Sequence, residues 1–189
     1  MTASVLTAAL SEIAEDSLLR RAVMDRIGSC DDIAESEAAL LMPDSPGPVS
    51  LLERAALAHH VAALLGHDGL TDRYARQLRG VAAPQDAAAD LILIETARAA
   101  AVFPDLHRIS APRRMAIGDR LVAGFRHVHA ALSGQGRVHA RPVGWDRAGV
   151  GILSRILTMV SFQARLLTGL RQCADARRPL LADHWRDGG

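Results

Sequence analysis

The stretch that most constrains this chain is the apolar run over residues 148–170. It reads as one long helix that starts near Asp146 and reaches about Cys173, roughly 40 Å at 1.5 Å per residue. Val150, Leu153, Leu157, Val160, Ala164 and Leu167 fall at alternating spacings of three and four, as in an a/d heptad. Ile152, Ile156, Met159, Leu166 and Leu170 make a second apolar stripe beside them. A helix apolar over so much of its circumference must be covered on several sides, by the rest of the fold or by a second subunit. A third stripe, Ser154, Thr158, Ser161, Arg165, Thr168 and Gln172, is polar throughout. Two readings of it stand side by side. It is a solvated face, the default for polar side chains, or it lines a pocket in which Arg165 meets a carboxylate such as Glu53 or Glu95. Arg155 and Arg165 interrupt the run, which argues against a membrane span.

Composition agrees with helices. Of the 189 residues 49% are hydrophobic and only 3% aromatic, so the core is built from Ala, Leu, Ile and Val. The residues a β-sheet would draw on are scarce, and the strong helix formers abound. The expected fold class is all-α. Basic and acidic residues nearly cancel, 22 against 21, so no net field draws the chain to nucleic acid or an anionic membrane. Every basic residue is Arg, which rules out Schiff-base chemistry on lysine. Cys30 and Cys173 are far apart and in no metal-ligand pattern, so they read as small hydrophobes. The N-terminal residues lack a basic segment and soon meet Glu12, Glu15 and Asp16, unlike a signal peptide. A cytoplasmic protein is expected.

Along the chain, residues 3–42 read as one or two helices broken near Gly28-Ser29, with Asp31 or Asp32 as the cap of the second. Pro43-Asp44-Ser45-Pro46-Gly47-Pro48 cannot continue a helix and reads as a linker. Ser50-Leu51-Leu52-Glu53 is a capping-box pattern, and the helix it opens shows Leu51, Ala55, Ala58, Ala62 and Leu65 on one face before Gly66 ends it. Asp68 can cap a next helix with Leu70, Tyr74 and Leu78 one turn apart. Further helices are expected over roughly 86–101 and from Ser110-Ala111-Pro112 to about Leu132. The Gly-rich segment 133–149 is too long for a tight turn, and the tail with Pro179 looks irregular.

Most familiar chemistries lack their residues. His127 and His129 are two apart, and His59 and His60 adjacent, so on helices neither pair shares a face; no bound metal is expected. Gly134 to Gly136 follows a helix instead of a strand, which leaves nucleotide binding unsupported. No nucleophile elbow is present, and the few aromatics do not interleave with arginines as nucleic-acid binding would require. No cofactor is expected.

Two segments carry a resemblance. Glu53-Arg54-Ala55-Ala56-Leu57-Ala58 through Val61-Ala62-Ala63-Leu64-Leu65-Gly66 resembles the helix that leads into the redox motif of alkylhydroperoxidase-D-like proteins. Ser161-Phe162-Gln163-Ala164-Arg165-Leu166-Leu167-Thr168-Gly169-Leu170 resembles the C-terminal signature of their peroxidase-related branch. Order and separation agree over roughly residues 48–173, and the chain looks closest to the carboxymuconolactone-decarboxylase-domain (AhpD-like, CMD) proteins of that superfamily. The resemblance implies an AhpD-like helical bundle over residues 49–175, preceded by an N-terminal helical arm and linker over 1–48 and followed by a tail over 176–189. It also implies a homo-oligomer.

The family's chemistry needs C-x-x-C-x-x-x-H after the first segment, because two thiols three apart at a helix start cycle between dithiol and disulfide. With Gly66 as anchor, His67 and Leu70 stand at the Cys positions, Tyr74 at the His position and Ala55 at that of an upstream Glu. Leu70 cannot form a disulfide. The implied function is therefore that of an alkylhydroperoxidase-related protein of unknown substrate whose thiol site has degenerated. His67 and Tyr74 are the candidate acid and base on a small organic ligand; otherwise His67 decorates the turn and Tyr74 packs through its ring. Glu53, Leu70, Gln163 and Arg165 are the candidate pocket or structural residues. An oligomeric binding or assembly protein without catalysis is the alternative, and residual peroxide reduction through Cys30 or Cys173 a third.

Overall fold

A computed structural model describes residues 21, 25, 30–81, 118–134 and 141–184 of the chain, with the backbone alone for 30, 31 and 173–184. The fold is all-α, and no strand occurs among the described residues. Five helices are described: α1 (Cys30–Leu41), α2 (Leu51–Leu64), α3 (Asp68–Val81), α4 (Asp119–Ser133) and α5 (Arg147–His184). The chain divides into two compact units, residues 1–36 with 162–189, and residues 37–161. The expected helix over 86–101, the Ser110-Ala111-Pro112 start, the Gly28-Ser29 break and Glu95 all lie outside the described residues.

Helix α2 is the centre of the second unit. The Ser50 hydroxyl accepts from the Glu53 backbone N–H at 3.2 Å while the Glu53 carboxylate accepts from the Ser50 N–H at 2.9 Å, so the capping box is complete at both ends. Every residue from Arg54 to Ala62 is buried. The helix is therefore covered on all sides, more than the single face that its spacing suggested, because Ala at most positions lets neighbours approach from every direction. Helices α3 and α4 pack on it.

Leu70, Tyr74 and Leu78 present the inner face of α3 and are fully buried. Burying each such side chain contributes roughly 1.5–3 kcal/mol. Helix α4 begins at Asp119, because Gly118 has a φ of 81°, outside the helical region. Helix α1 starts at Cys30, so Asp31 and Asp32 lie inside its first turn instead of capping it.

Helix α5 has 38 residues and runs past the expected end at Cys173 through Pro179 to His184. The residues around that proline, Ala174, Ala176, Leu180, Leu181 and Ala182, are strong helix formers. Its buried seam up to Leu170 is Gly149, Leu153, Ile156, Val160, Gln163, Leu167 and Leu170, with Ile152 and Ala164 buried beside it. That seam takes members from both apolar stripes, while Val150 and Leu157 are only half-buried. Two adjacent stripes make one broad apolar arc, and the midline of the arc faces inward. The polar stripe is the exposed one: Ser154, Thr158, Arg165, Thr168 and Gln172 all face solvent, while Ser161 in the same stripe is half-buried.

The segment Arg147–Gln172 is long and apolar enough to cross a membrane by length and composition alone. Its exposed face carries hydroxyls and arginines, side chains that hydrocarbon does not solvate.

Candidate functional site

The residues at the resemblance's redox positions sit where α2 turns into α3. Gly66 takes the left-handed conformation with φ 66°, which glycine adopts without a Cβ penalty. Its N–H donates to the Ala63 carbonyl at 3.1 Å and the His67 N–H donates to that of Ala62 at 3.1 Å. Those two bonds are a Schellman ending, and they satisfy carbonyls that a helix end otherwise leaves open.

His67 then starts the next helix. Its Nδ1 accepts the Leu70 backbone N–H at 3.3 Å, and its carbonyl accepts from both the N–H and the hydroxyl of Thr71 at 3.0 Å. His67 is thus the cap of α3, in the place of the usual Ser, Thr, Asp or Asn. Asp68, expected as the cap, is the first helical residue, where its carboxylate suits the positive end of the helix dipole. An Nδ1 that accepts implies a neutral ring with its proton on Nε2. The residue is 6% exposed, well inside the fold instead of on the outside of the turn.

Leu70 and Tyr74 are at 0% exposure. They stand one turn apart on the inner face of α3, so the position of the second thiol is a packed hydrocarbon. The arrangement closes a helix and fills a core. His67 and Leu70 cannot cycle between dithiol and disulfide, because neither carries a thiol.

Beside the joint, α2 carries two buried histidines. His59 and His60 are both 1% exposed, and the His60 ring stacks on Phe125 of α4 with centroids 4.4 Å apart at 29°. On α4, burial lowers the pKa of His127 below its ordinary 6.5. No group of three or more His, Cys, Asp or Glu placed to hold a metal ion occurs among the described residues.

Glu53, a candidate partner for Arg165, is engaged elsewhere. Its Oε1 lies 2.9 Å from Arg120 Nε, and its Oε2 serves the Ser50 cap. Arg165 is exposed and Gln163 is 3% exposed. Arg120 also donates through Nη2 to the Pro48 carbonyl and lies over the Trp145 ring, 4.8 Å from its centroid. Trp145 Nε1 returns a bond to the Arg120 carbonyl at 2.7 Å. The segment 141–146 is therefore anchored to α4 through a buried indole.

Arg54 is a structural residue that the sequence did not single out for this purpose. It is 4% exposed, and its guanidinium donates to the carbonyls of Val49 at 2.9 Å, Leu40 at 2.5 Å and Pro46 at 2.6 Å. One side chain thereby satisfies the end of α1, one position of the proline-rich linker and the residue that follows the linker. Burial is the first cause that lowers its pKa from the ordinary arginine value, with Arg155 adding to it and Glu53 opposing. A usable signal was present: an Arg among alanines next to a helix start, just after a linker whose prolines leave carbonyls without helical partners.

No protein-family model, curated protein or solved structure matches this chain. The site's meaning rests on its own geometry.

Proposed function

We propose that this is an alkylhydroperoxidase-D-related helical protein in which the thiol redox centre has become a structural joint, and that it acts without peroxide chemistry as an oligomeric binding or assembly protein of the cytoplasm. One observation carries this reading. His67, at the position of the first thiol, spends its Nδ1 on the α3 cap, and Leu70, at the second, is packed hydrocarbon. A general base must have its lone pair free to take a proton from substrate, and the Nδ1 lone pair is already committed to a backbone amide. The flank of the α5 arc left half-buried at Val150 and Leu157, together with the exposed Phe162, supports a second subunit as partner, and a small organic molecule is the expected ligand class.

The test is hydroperoxide consumption with a dithiol reductant, comparing the native protein with the Cys30→Ser/Cys173→Ser double variant. Neither protein consuming peroxide above background is the expected result. Turnover by the native protein that the double variant loses would overturn the reading and identify a single-thiol peroxidase.

A further inference from the structure

We propose that the α2–α3 joint is proton-sensitive: α3 is capped by His67 while the ring is neutral, and its first turn is released when the ring takes up a proton. The usual capping side chains accept a hydrogen bond at every pH above that of carboxylate protonation. Imidazole differs, because its single acceptor nitrogen becomes a donor on protonation. Leu70 N–H and an imidazolium Nδ1–H would then be two donors face to face. The added positive charge would also meet the positive end of the α3 dipole.

The ring sits on a residue that makes five connections at once. The His67 N–H closes the Schellman ending of α2, the carbonyl receives two bonds from Thr71, Nδ1 receives one from Leu70, and the chain itself joins the helices. A change at Nδ1 therefore acts on the start of α3 while the end of α2 stays tied. Leu70, the donor to that nitrogen, is also a fully buried core residue, which couples the cap to the packing of α3 on α2.

The charged and titratable groups of the two helices joined here set how much proton it takes. On α3 these are Asp68, Asp72, Arg76 and Arg79, all exposed, the buried Tyr74, and Arg73, which pairs with Glu37 at 2.8 Å. On α2 they are Glu53, held by the Ser50 cap and Arg120, and the buried Arg54, His59 and His60. Asp68, adjacent in the chain, favours the imidazolium; burial and the helix dipole oppose it. This inference rests on His67 being a cap instead of a catalytic base, and its test uses no substrate, so it fails or stands separately from the peroxide assay.

The experiment is amide hydrogen exchange of the full chain at pH 7.5 and 5.5, expressed as protection factors. The Leu70 amide is expected to lose about fivefold in protection at the lower pH, the factor that loss of a helix cap carries, while that of Ala75 in mid-helix holds. In the His67→Asn variant, whose cap does not titrate, the Leu70 loss is expected to vanish. Equal Leu70 protection at the two pH values in the native protein, or an equal loss in the variant, would overturn the proposal. Should the variant fail to fold, nitrogen NMR of the native His67 ring decides. Nδ1 unprotonated at pH 7.5 and protonated at 5.5, with loss of the Leu70 bond, supports the proposal; a ring unchanged between them overturns it.

Discussion

The Leu70 backbone N–H donates to His67 Nδ1 at 3.3 Å, and so joins the two positions, three residues apart, where the resemblance places a pair of thiols. The same spacing at a helix start serves either purpose. Two sulfurs there meet to form a disulfide, whereas one imidazole there reaches the third backbone amide and caps the helix. The chemistry is decided by the side chains, not by the backbone, which is why a redox centre and a structural joint can share one turn.

Arg54 should be among the most costly residues to remove. Arg54→Met leaves the carbonyls of Val49, Leu40 and Pro46 without their donor, and buried groups that lose a charged partner cost about 1.5–3 kcal/mol each. A loss of about 3 kcal/mol or more in urea unfolding is expected. Arg54→Lys should rescue little, because an ammonium cannot span three carbonyls as a planar fork does.

Gly124 is needed for Trp145. A Cβ at Gly124 would stand 2.8 Å from Trp145 Cζ2 and 3.3 Å from Cε2, and the indole is fixed by its bond to the Arg120 carbonyl. Gly124→Ala is expected to cost about 1–3 kcal/mol, as overpacking does. Tryptophan fluorescence should shift to the red as the ring, now 3% exposed, is pushed toward water. An unchanged emission maximum and midpoint would contradict this packing.

Stability should fall in mildly acid solution, in part through His127. Burial lowers the pKa of His127 in the folded state below 6.5, so the unfolded chain binds the proton first. Its contribution is intact above about pH 6.5 and is lost as the pH drops from there toward the lower folded value. Unfolding midpoints measured between pH 8 and 5 should fall less steeply in His127→Gln than in the native protein. Parallel curves would exclude His127 from the effect.

Much of this architecture was legible in the residues. The capping box at Ser50 and Glu53, the glycine stop at Gly66 and the Leu70-Tyr74-Leu78 face are local signals, set within one or two turns, and the structure has each of them. The seam of α5 was only half legible. Its two apolar stripes are adjacent, and which line faces inward depends on what packs there, as the half-buried Val150 and Leu157 show.

The site was less legible. Asp68 has the better capping side chain by propensity, yet His67 caps α3, because the Schellman turn at Gly66 sets the phase at which the helix begins. The carbonyls gathered by Arg54 and the Arg120–Trp145 contact join residues far apart in sequence, for which no spacing rule exists. Glu53 illustrates the same limit: its cap was readable, while its ion pair with Arg120 was not.

The measurement that tests the central claim most directly is the unfolding free energy of His67→Asn and His67→Ala at pH 7.5, against the native protein. If His67 serves as a helix cap, Asn should preserve stability to within roughly 0.5 kcal/mol, and Ala should lose about 1 kcal/mol. Equal stability of the two variants would contradict the account, and would return His67 to the list of groups available for chemistry.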